Sequence, residues 1–351
     1  MHRAFVILSL VAAPALSQQP VSVGTATASP GTTAYGSIMV PAGSDSALKI
    51  DVAVINGAKP GHTIAFVSGS HGTEYSSIVA MQRLIGRIDP KRLTGTVIVV
   101  PLVNVASFVT MTPHVNPIDR KGMNSGYPGD PSGTQTDRAL ALIAKDVVAP
   151  ADVVVDLHGG DLDEDLRPYS YWFRGGRSTQ DSASKALALA FGLDHIIVSD
   201  VDPTKPGRSL SSYALVNGKT VVVAEAGRSG IVAPTDVDAL VDGSLNVLGA
   251  LGMLVRRVTP VESPVWISGA GERIAATHEG VFFAAVPRDT RVTKGQLLGR
   301  TTDFLGRPME EIRAPIDGLV TFIRGVPSMW PRATLVNVAP VLSAPGPWKV
   351  K

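Results

Sequence analysis

The chain has no cysteine among its 351 residues. This absence excludes disulfide bonds, a lipid anchor on an N-terminal cysteine, and thiolate ligands for a metal ion. Any metal site in this protein must therefore be built from imidazole and carboxylate groups.

The chain also lacks a sustained run of basic residues, and its formal net charge is only +2. Proteins that bind nucleic acid usually show a clustered positive charge, so no nucleic-acid partner is expected. The pI near 8.8 leaves only a weak attraction to anionic surfaces. A small-molecule substrate is the better expectation.

The apolar stretch at the N-terminus is too short to cross a bilayer. The chain begins Met-His-Arg, continues with apolar residues 4–16, and offers small residues for cleavage at Ala15-Leu16-Ser17. This pattern is typical of a secretory signal peptide. We expect residues 1–17 to be removed, the mature protein to be periplasmic or secreted, and no stable membrane insertion to follow. A membrane anchor is the alternative, and the short length of the apolar stretch disfavours it.

The length and the 44% hydrophobic content predict two domains with packed cores. In residues 18–257, Val- and Ile-rich runs alternate with helical patterns, which is typical of an α/β domain. After residue 258 the sequence consists of short β-like runs separated by Gly, Pro and Asp. This pattern predicts a small all-β domain over residues 258–351. Within it, two copies of an A-x-x-acid-G-apolar pattern begin at Ala276 and Ala314 and predict two similar hairpins folded face to face.

Three of the most apolar runs each end at a side chain that can hold or serve a metal. His71 and Glu74 follow the first run, His158 follows the second, and Glu225 follows the third. The runs read as buried strands of an α/β sheet, in which ligands gather at the carboxyl ends. Two histidines and one carboxylate complete the protein ligands of a catalytic zinc, and a second carboxylate remains to move protons. The sequence predicts one Zn²⁺ per chain.

Other interpretations of these residues stay open at this point. His71 and Glu74 also suit a turn and the first turn of a helix, where acids are favoured. His158 suits a buried polar group with a hydrogen-bond partner, and Glu225 suits an ion pair with Arg228. Asp156 either orients a ligating imidazole or simply ends its strand.

The motifs H-G-T-E, N-P-I-D, Y-P-G, D-L-H-G-G and E-A-G, followed by V-T-K-G-Q-L-L-G and A-P-I-D-G-L-V, occur in this order. Together they resemble the succinylglutamate desuccinylase/aspartoacylase family, a branch of the zinc carboxypeptidase fold. The resemblance implies a mixed-sheet, zinc-carboxypeptidase-like catalytic domain with a small barrel-sandwich-like β domain. It also implies zinc bound by His71, Glu74 and His158, Glu225 as the acid/base, and hydrolysis of an N-acyl amide.

The substrate loop departs from the family pattern. Asn124 is kept, but Ser125 stands where the family has a carboxylate-binding arginine, and His114 lies roughly in place of an upstream arginine. A serine cannot reproduce a bidentate guanidinium-carboxylate contact. We therefore predict His114, Asn124 and Arg120 as substrate-binding residues, and recognition of an acidic amino acid requires Arg120, Lys121 or Arg138 to reach the pocket.

The C-terminal domain is also similar to biotinyl- and lipoyl-carrier sandwiches. It has no lysine at the turn that carriers modify, so we expect a structural module that walls one side of the active site. The aromatic residues Tyr169, Tyr171, Trp172 and Phe173 suit either the pocket or the core.

The sequence as a whole predicts an exported zinc amidohydrolase that acts on an N-acyl amino acid or a similar small amide. A metallocarboxypeptidase acting on a short peptide or a cell-wall fragment is the alternative, and a binding protein that has lost catalysis is the third. The sequence leaves open whether the protein forms a homo-oligomer.

Overall fold

The computed structural model of the chain describes residues 18–349. The predicted signal peptide, residues 1–17, lies outside the described residues. Within them, no helix combines the length and the apolar character that a bilayer crossing requires.

The secondary-structure elements are numbered in chain order within the described residues. The strands are β1 (Val21–Val23), β2 (Ala26–Ala28), β3 (Thr32–Val40), β4 (Leu48–Asn56), β5 (Lys59–Ser68), β6 (Thr94–Val100), β7 (Val153–His158), β8 (Glu164–Leu166), β9 (Tyr169–Arg174), β10 (His195–Asp200), β11 (Thr220–Glu225), β12 (Val265–Ser268), β13 (Glu272–Ala275), β14 (Gly280–Ala284), β15 (Arg291–Val292), β16 (Leu297–Thr302), β17 (Pro308–Arg313), β18 (Gly318–Arg324), β19 (Ser328–Met329), β20 (Thr334–Ala339) and β21 (Val341–Leu342). The helices are α1 (Tyr75–Ile85), α2 (Val105–Thr110), α3 (Gln135–Ile143), α4 (Ser178–Phe191), α5 (Leu210–Val216) and α6 (Pro234–Ala250), and a π-helical turn (Ala144–Val148) continues α3.

A ten-stranded mixed sheet forms the centre of the molecule, in the order β21, β12, β10, β9, β11, β7, β5, β6, β4 and β3. The four central strands β6, β5, β7 and β11 run parallel to one another. Strand β9 is antiparallel to β11, and β4 is antiparallel to β6. The predicted α/β fold with a large mixed sheet is therefore confirmed.

Helices cover both faces of the sheet, which explains why its central strands are apolar without alternation. Every residue of β7 is buried. Val154 of that strand packs in one apolar cluster with side chains of α3 and α5. Val153 and Val155 point to the other face and pack in a second cluster with α1, α4 and α6. Both faces of the strand therefore contribute to a core.

The C-terminal strands form two small antiparallel sheets. One has the order β13, β20, β18, β15, with β8 added to β18, and the other has the order β17, β16, β14, β19. The repeated pattern noted in the sequence leads into β14 and β18, one in each sheet. Phe282 of β14 and Val320 of β18 pack in the same apolar cluster, so the two copies do fold against each other.

Strand pairs join the two sides of the domain boundary that the sequence predicts between residues 257 and 258. Strand β12 pairs with β10, and β21 pairs with β12, so the C-terminal part extends the large sheet. Strand β8, from the α/β part, pairs with β18. The boundary stays a prediction, and the two parts share main-chain hydrogen bonds across it.

Gly243 allows α6 to pack closely against α4. A Cβ atom at this position would lie 2.2 Å from a ring carbon of Phe191, which is itself buried. We predict that Gly243→Ala lowers the free energy of unfolding. Overpacking costs about 1–3 kcal/mol, which outweighs the gain of about 1 kcal/mol in helix propensity.

Urea denaturation of the wild type and the variant measures this change. The double variant Gly243→Ala/Phe191→Leu is the control, because the smaller side chain removes the clash. If Gly243→Ala is as stable as the wild type, the close packing of α4 and α6 described above is wrong.

Candidate active site

The four residues predicted to perform the chemistry come together at the carboxyl ends of the central parallel strands. Strand β5 ends at Ser68, and the turn that follows carries His71 and leads to Glu74, the residue preceding α1. His158 is the last residue of β7 and Glu225 is the last residue of β11. These two are direct partners in the parallel register.

His71, Glu74 and His158 form a compact group of metal-ligating side chains. One ligand atom from each lies within 4.8 Å of the others. His158 Nδ1 is 2.9 Å from Glu74 Oε2, so this nitrogen faces the centre of the group. His71 Nδ1 is buried and has no hydrogen-bond partner, as expected of a nitrogen kept for a metal. Two imidazoles and one carboxylate suit Zn²⁺ and leave a coordination position open.

The other nitrogen of His158 faces Asp156 and Asn124. Its Nε2 lies 3.1 Å from Asp156 Oδ1 and 3.2 Å from Asn124 Nδ2. A carboxylate at the outer nitrogen fixes the orientation of a ligating imidazole. This distance agrees with the orienting interpretation of Asp156, while neither of its carboxylate oxygens has a hydrogen-bond partner among the described residues. Burial opposes the charged imidazole, but Asp156 and Glu74 raise the pKa of His158 well above its usual value.

Glu225 is positioned by an aromatic residue rather than by an arginine. Tyr169 Oη donates a hydrogen bond of 3.0 Å to Glu225 Oε2. The ion pairs of the described residues include none between Glu225 and Arg228, which was the alternative. Burial raises the pKa of Glu225 to about 7, despite the opposing charge of His158. A carboxylate with this pKa is suited to take up and release a proton near neutral pH.

These groups line a cavity of about 390 Å³. Tyr169, Tyr171 and Phe173 face the cavity, because alternate residues of β9 lie on the same side of the strand. Trp172 points the other way and packs in the core. Phe322 and Asn337 complete the wall, on β18 and β20 respectively. The C-terminal strands therefore do wall one side of the site.

His114 and Asn124, two of the three predicted substrate-binding residues, line the cavity. Both ring nitrogens of His114 are engaged by carboxylates: Nδ1 lies 3.2 Å from Asp161 Oδ2 and Nε2 lies 3.1 Å from Asp163 Oδ1. Burial opposes the charged imidazole, but Asp163 and Asp161 raise the pKa of His114 to about 9. Although His114 lies at the site, neither of its nitrogens is free to contact a substrate.

The structure does not bring Arg120 to the cavity. Its backbone has a positive φ of 60°, and its N–H donates to the Asn116 carbonyl in a tight turn, which leaves the residue exposed. The other candidates are also occupied elsewhere: Arg138 is buried against Asp45.

Lys121 lies 2.5 Å from an oxygen of Asp137. Ser125 Oγ donates to the Gly122 carbonyl and is not part of the cavity lining. Hence neither the predicted arginine positions nor Lys121 supplies a cation to the cavity.

Sequence reasoning missed several charged residues around His114. Glu164 lines the cavity, and burial, followed by the charge of Glu74, raises the pKa of Glu164 to about 8. Asp163 also accepts a hydrogen bond of 2.8 Å from Arg324 Nη1 of β18. The acidic run D-L-D-E-D directly after the D-L-H-G-G motif was the available signal for the carboxylates. No local pattern signals Arg324, which is 161 residues away from its partner.

Comparison with known proteins agrees with this fold and site. Residues 60–251 match the succinylglutamate desuccinylase/aspartoacylase catalytic domain. The chain belongs to this family, which confirms the resemblance seen in the sequence. It is 28% identical over 323 residues to the N-alpha-acetyl-L-2,4-diaminobutyric acid deacetylase of Halomonas elongata, covering 89% of this chain and 93% of that protein.

Two solved structures show the same fold. A succinylglutamate desuccinylase from Silicibacter sp. has a TM-score of 0.80 at 23% identity, covering 88% of this chain and 95% of that one. The product-bound ectoine utilization protein EutE from Ruegeria pomeroyi has a TM-score of 0.81 at 23% identity, covering 92% of this chain and 99% of that one.

The ligand group predicts the effect of removing either histidine. His71→Ala and His158→Ala should each lose bound zinc, because each leaves only two of the three protein ligands. Wild-type protein purified without chelator should carry about one zinc per chain. Metal analysis of the purified proteins measures both expectations.

His62→Ala is the matched control, because His62 is exposed and lies in the first half of β5, away from its carboxyl end. This variant should keep its zinc. Full metal content in both His71→Ala and His158→Ala would show that the ligand group is assigned wrongly.

Proposed function

We propose that this protein is a zinc-dependent deacylase with a zinc-carboxypeptidase-like catalytic domain, and that it hydrolyses N-acyl amino acids. The observation that carries the proposal is the position of Glu225 beside the His71, Glu74 and His158 group inside one cavity. Zinc, when bound there, supplies a Lewis acid that activates water and polarises the scissile carbonyl. The residues around it supply orientation and proton transfer.

Glu225 is the acid/base of the proposed reaction. It takes a proton from the attacking water and delivers it to the nitrogen of the leaving amine as the C–N bond breaks. The products are a carboxylic acid and a free amine. Tyr169 holds one oxygen of Glu225 and leaves the other available for the proton. Asp156 keeps the ring of His158 in place during the reaction.

The cavity supports a small substrate. Its volume of about 390 Å³ is within the usual range for small-molecule sites. The relative from Halomonas elongata is named for an N-acetylated amino acid, which supports an N-acyl amino acid here. The same relative favours the deacylase over the carboxypeptidase, because its name describes the removal of an acetyl group and not of a terminal amino acid.

The proposal assigns different roles to Glu225 and Glu74. Glu225→Gln keeps the shape of the side chain but cannot accept a proton, so kcat should fall by about a hundredfold or more. Zinc should remain bound. Steady-state kinetics on N-acyl amino acids, combined with metal analysis, tests both expectations.

Glu74→Gln is the matched comparison, because it alters a carboxylate of the ligand group instead. It should lower the zinc content. Equal zinc loss in both variants would contradict the separation of ligand and base.

We also propose that the protein is exported and acts in the periplasm or outside the cell. The charged start and the short apolar stretch at the N-terminus support this. Expression of the full chain in a Gram-negative host should yield a periplasmic protein that starts at Gln18. Mass spectrometry of the periplasmic fraction measures this. A product that keeps residues 1–17 and stays with the cytoplasm would contradict export.

A further inference from the structure

A second group of metal-ligating side chains lies beside the one that contains His158. His114, Asp163 and Glu164 each offer one ligand atom, and these atoms lie within 4.8 Å of one another. His114 Nε2 is 3.1 Å from Asp163 Oδ1. In the first group, the nearest atoms of the histidine and the carboxylate are 2.9 Å apart. Two ligand atoms about 2.0–2.2 Å from one ion lie about 3.0–3.4 Å apart, so the spacing in the second group also suits a shared cation.

In each of these three side chains, a further polar atom is already held by the protein. His114 Nδ1 lies 3.2 Å from the buried carboxylate of Asp161. Asp163 Oδ2 accepts a hydrogen bond of 2.8 Å from Arg324 Nη1. Glu164 Oε2 accepts one of 3.2 Å from the Asp161 backbone N–H. Partners of this kind orient ligating side chains, and they leave one atom of each side chain to bind an ion.

A network of hydrogen-bonded charges is the alternative explanation of this group. In that network two cations, a protonated His114 and Arg324, face the three carboxylates of Asp161, Asp163 and Glu164. One negative charge is left in excess. A divalent ion that replaces the proton between His114 and Asp163 makes the charges equal, because its two charges and that of Arg324 match three carboxylates. Buried charges persist when they are compensated in this way.

The group also lies where a cation can contact a substrate. His114 and Glu164 line the active-site cavity, whereas the lining residues include no lysine and no arginine. The first group is close by, because His71, His114 and Asp161 also have ligand atoms within 4.8 Å of one another. An N-acyl amino acid carries a carboxylate, and the side chains of this wall offer no lysine or arginine to bind it.

We propose that His114, Asp163 and Glu164 bind a second divalent cation, and that this cation binds the carboxylate of the substrate. Ligands of mixed imidazole and carboxylate type suit Zn²⁺, which is therefore the probe. The second site is weaker than the first because the charge of Arg324 repels a cation at Asp163. Protein purified without added zinc should still carry about one zinc per chain. The metal site stands by itself, whereas its role toward the substrate rests on the proposed function.

Calorimetric titration with Zn²⁺, starting from protein that already carries one equivalent, measures the second site. The wild type should bind a second equivalent. His114→Ala and Glu164→Gln should each raise the Kd of this second ion by at least about tenfold to a hundredfold, the loss that even an outer partner of a ligand causes. Both variants should keep the first equivalent. Glu164→Gln preserves the shape of the side chain and decides the question even if His114→Ala does not fold.

Asp165→Asn is the matched control for these variants. Asp165 is the next carboxylate in the chain, but it forms an ion pair of 3.0 Å with Arg288 and does not line the cavity. This variant should bind the second equivalent as the wild type does. Crystals of the wild type soaked in Zn²⁺ give a readout that needs no variant, because an anomalous peak should lie next to His114 Nε2.

The role toward the substrate is measured by binding to Glu225→Gln, which should bind substrate with little hydrolysis. N-acetyl-L-alanine carries the carboxylate, and N-acetyl-L-alaninamide has nearly the same shape without the charge. The second equivalent of Zn²⁺ should lower the Kd of N-acetyl-L-alanine by about tenfold or more and that of the amide by no more than about twofold. Calorimetry with one and with two equivalents bound measures this difference.

The outcomes separate the metal site from the proposed function. If the wild type binds no second equivalent, or if both His114→Ala and Glu164→Gln bind it as the wild type does, the second site is wrong. If the second ion binds but does not favour N-acetyl-L-alanine over the amide, the role toward the carboxylate is wrong. If the wild type hydrolyses none of a wide panel of N-acyl amino acids, the proposed function fails and that role fails with it, while the titration still decides the metal site.

Discussion

The parallel pairing of β5, β7 and β11 is the constraint on which the active site depends. The pairing register sets Glu225 directly beside His158 and brings the end of β5 next to β7. A shift of one residue in either pair would turn the terminal side chain to the opposite face of the sheet. The apolar cores on both faces prevent such a shift, because every residue of β7 is buried between them, as are the last five residues of β5 and the four middle residues of β11. The candidate ligand group of His71, Glu74 and His158 is therefore held in place by hydrophobic burial some distance from the site.

Charge is the second constraint, because many buried or partly buried ionisable groups line one cavity. Buried charges persist in proteins when they are paired or coordinate a metal. Three solutions occur side by side here. Asp156 and Glu74 flank His158, His114 and Arg324 balance Asp161 and Asp163, and Glu225 is bound by a tyrosine hydroxyl.

Much of the fold and the centre of the site could be predicted from sequence because their signals are local. An apolar run that ends in His158 or Glu225 already specifies a buried strand and its functional end. The same holds for the turn after β5, where His71 and Glu74 are three residues apart. By contrast, the structure does not support the prediction that Arg120 binds the substrate. The course of its loop depends on a left-handed turn that the amino-acid sequence does not indicate.

Features that join distant parts of the chain could not be predicted. The contact of Arg324 with Asp163 spans 161 residues, and nothing around either residue indicates the other. The addition of β12 and β21 to the large sheet was missed for the same reason. Both strands are short, and the sequence around them is typical of a separate β domain. The contacts of both His114 ring nitrogens with Asp161 and Asp163 likewise form only when two segments that are distant in sequence come together.

The closure of the cavity by β18 and β20 also sets an order of assembly during synthesis. The candidate ligand group is complete in the chain at residue 158 and the proposed acid/base at residue 225, but the wall residues Phe322 and Asn337 follow much later in the sequence. A growing chain thus contains all its reactive groups well before it can form an enclosed site. Enclosure of the site therefore depends on strands that are made well after the reactive groups, and removal of β18 and β20 would open the cavity on the side of Phe322 and Asn337.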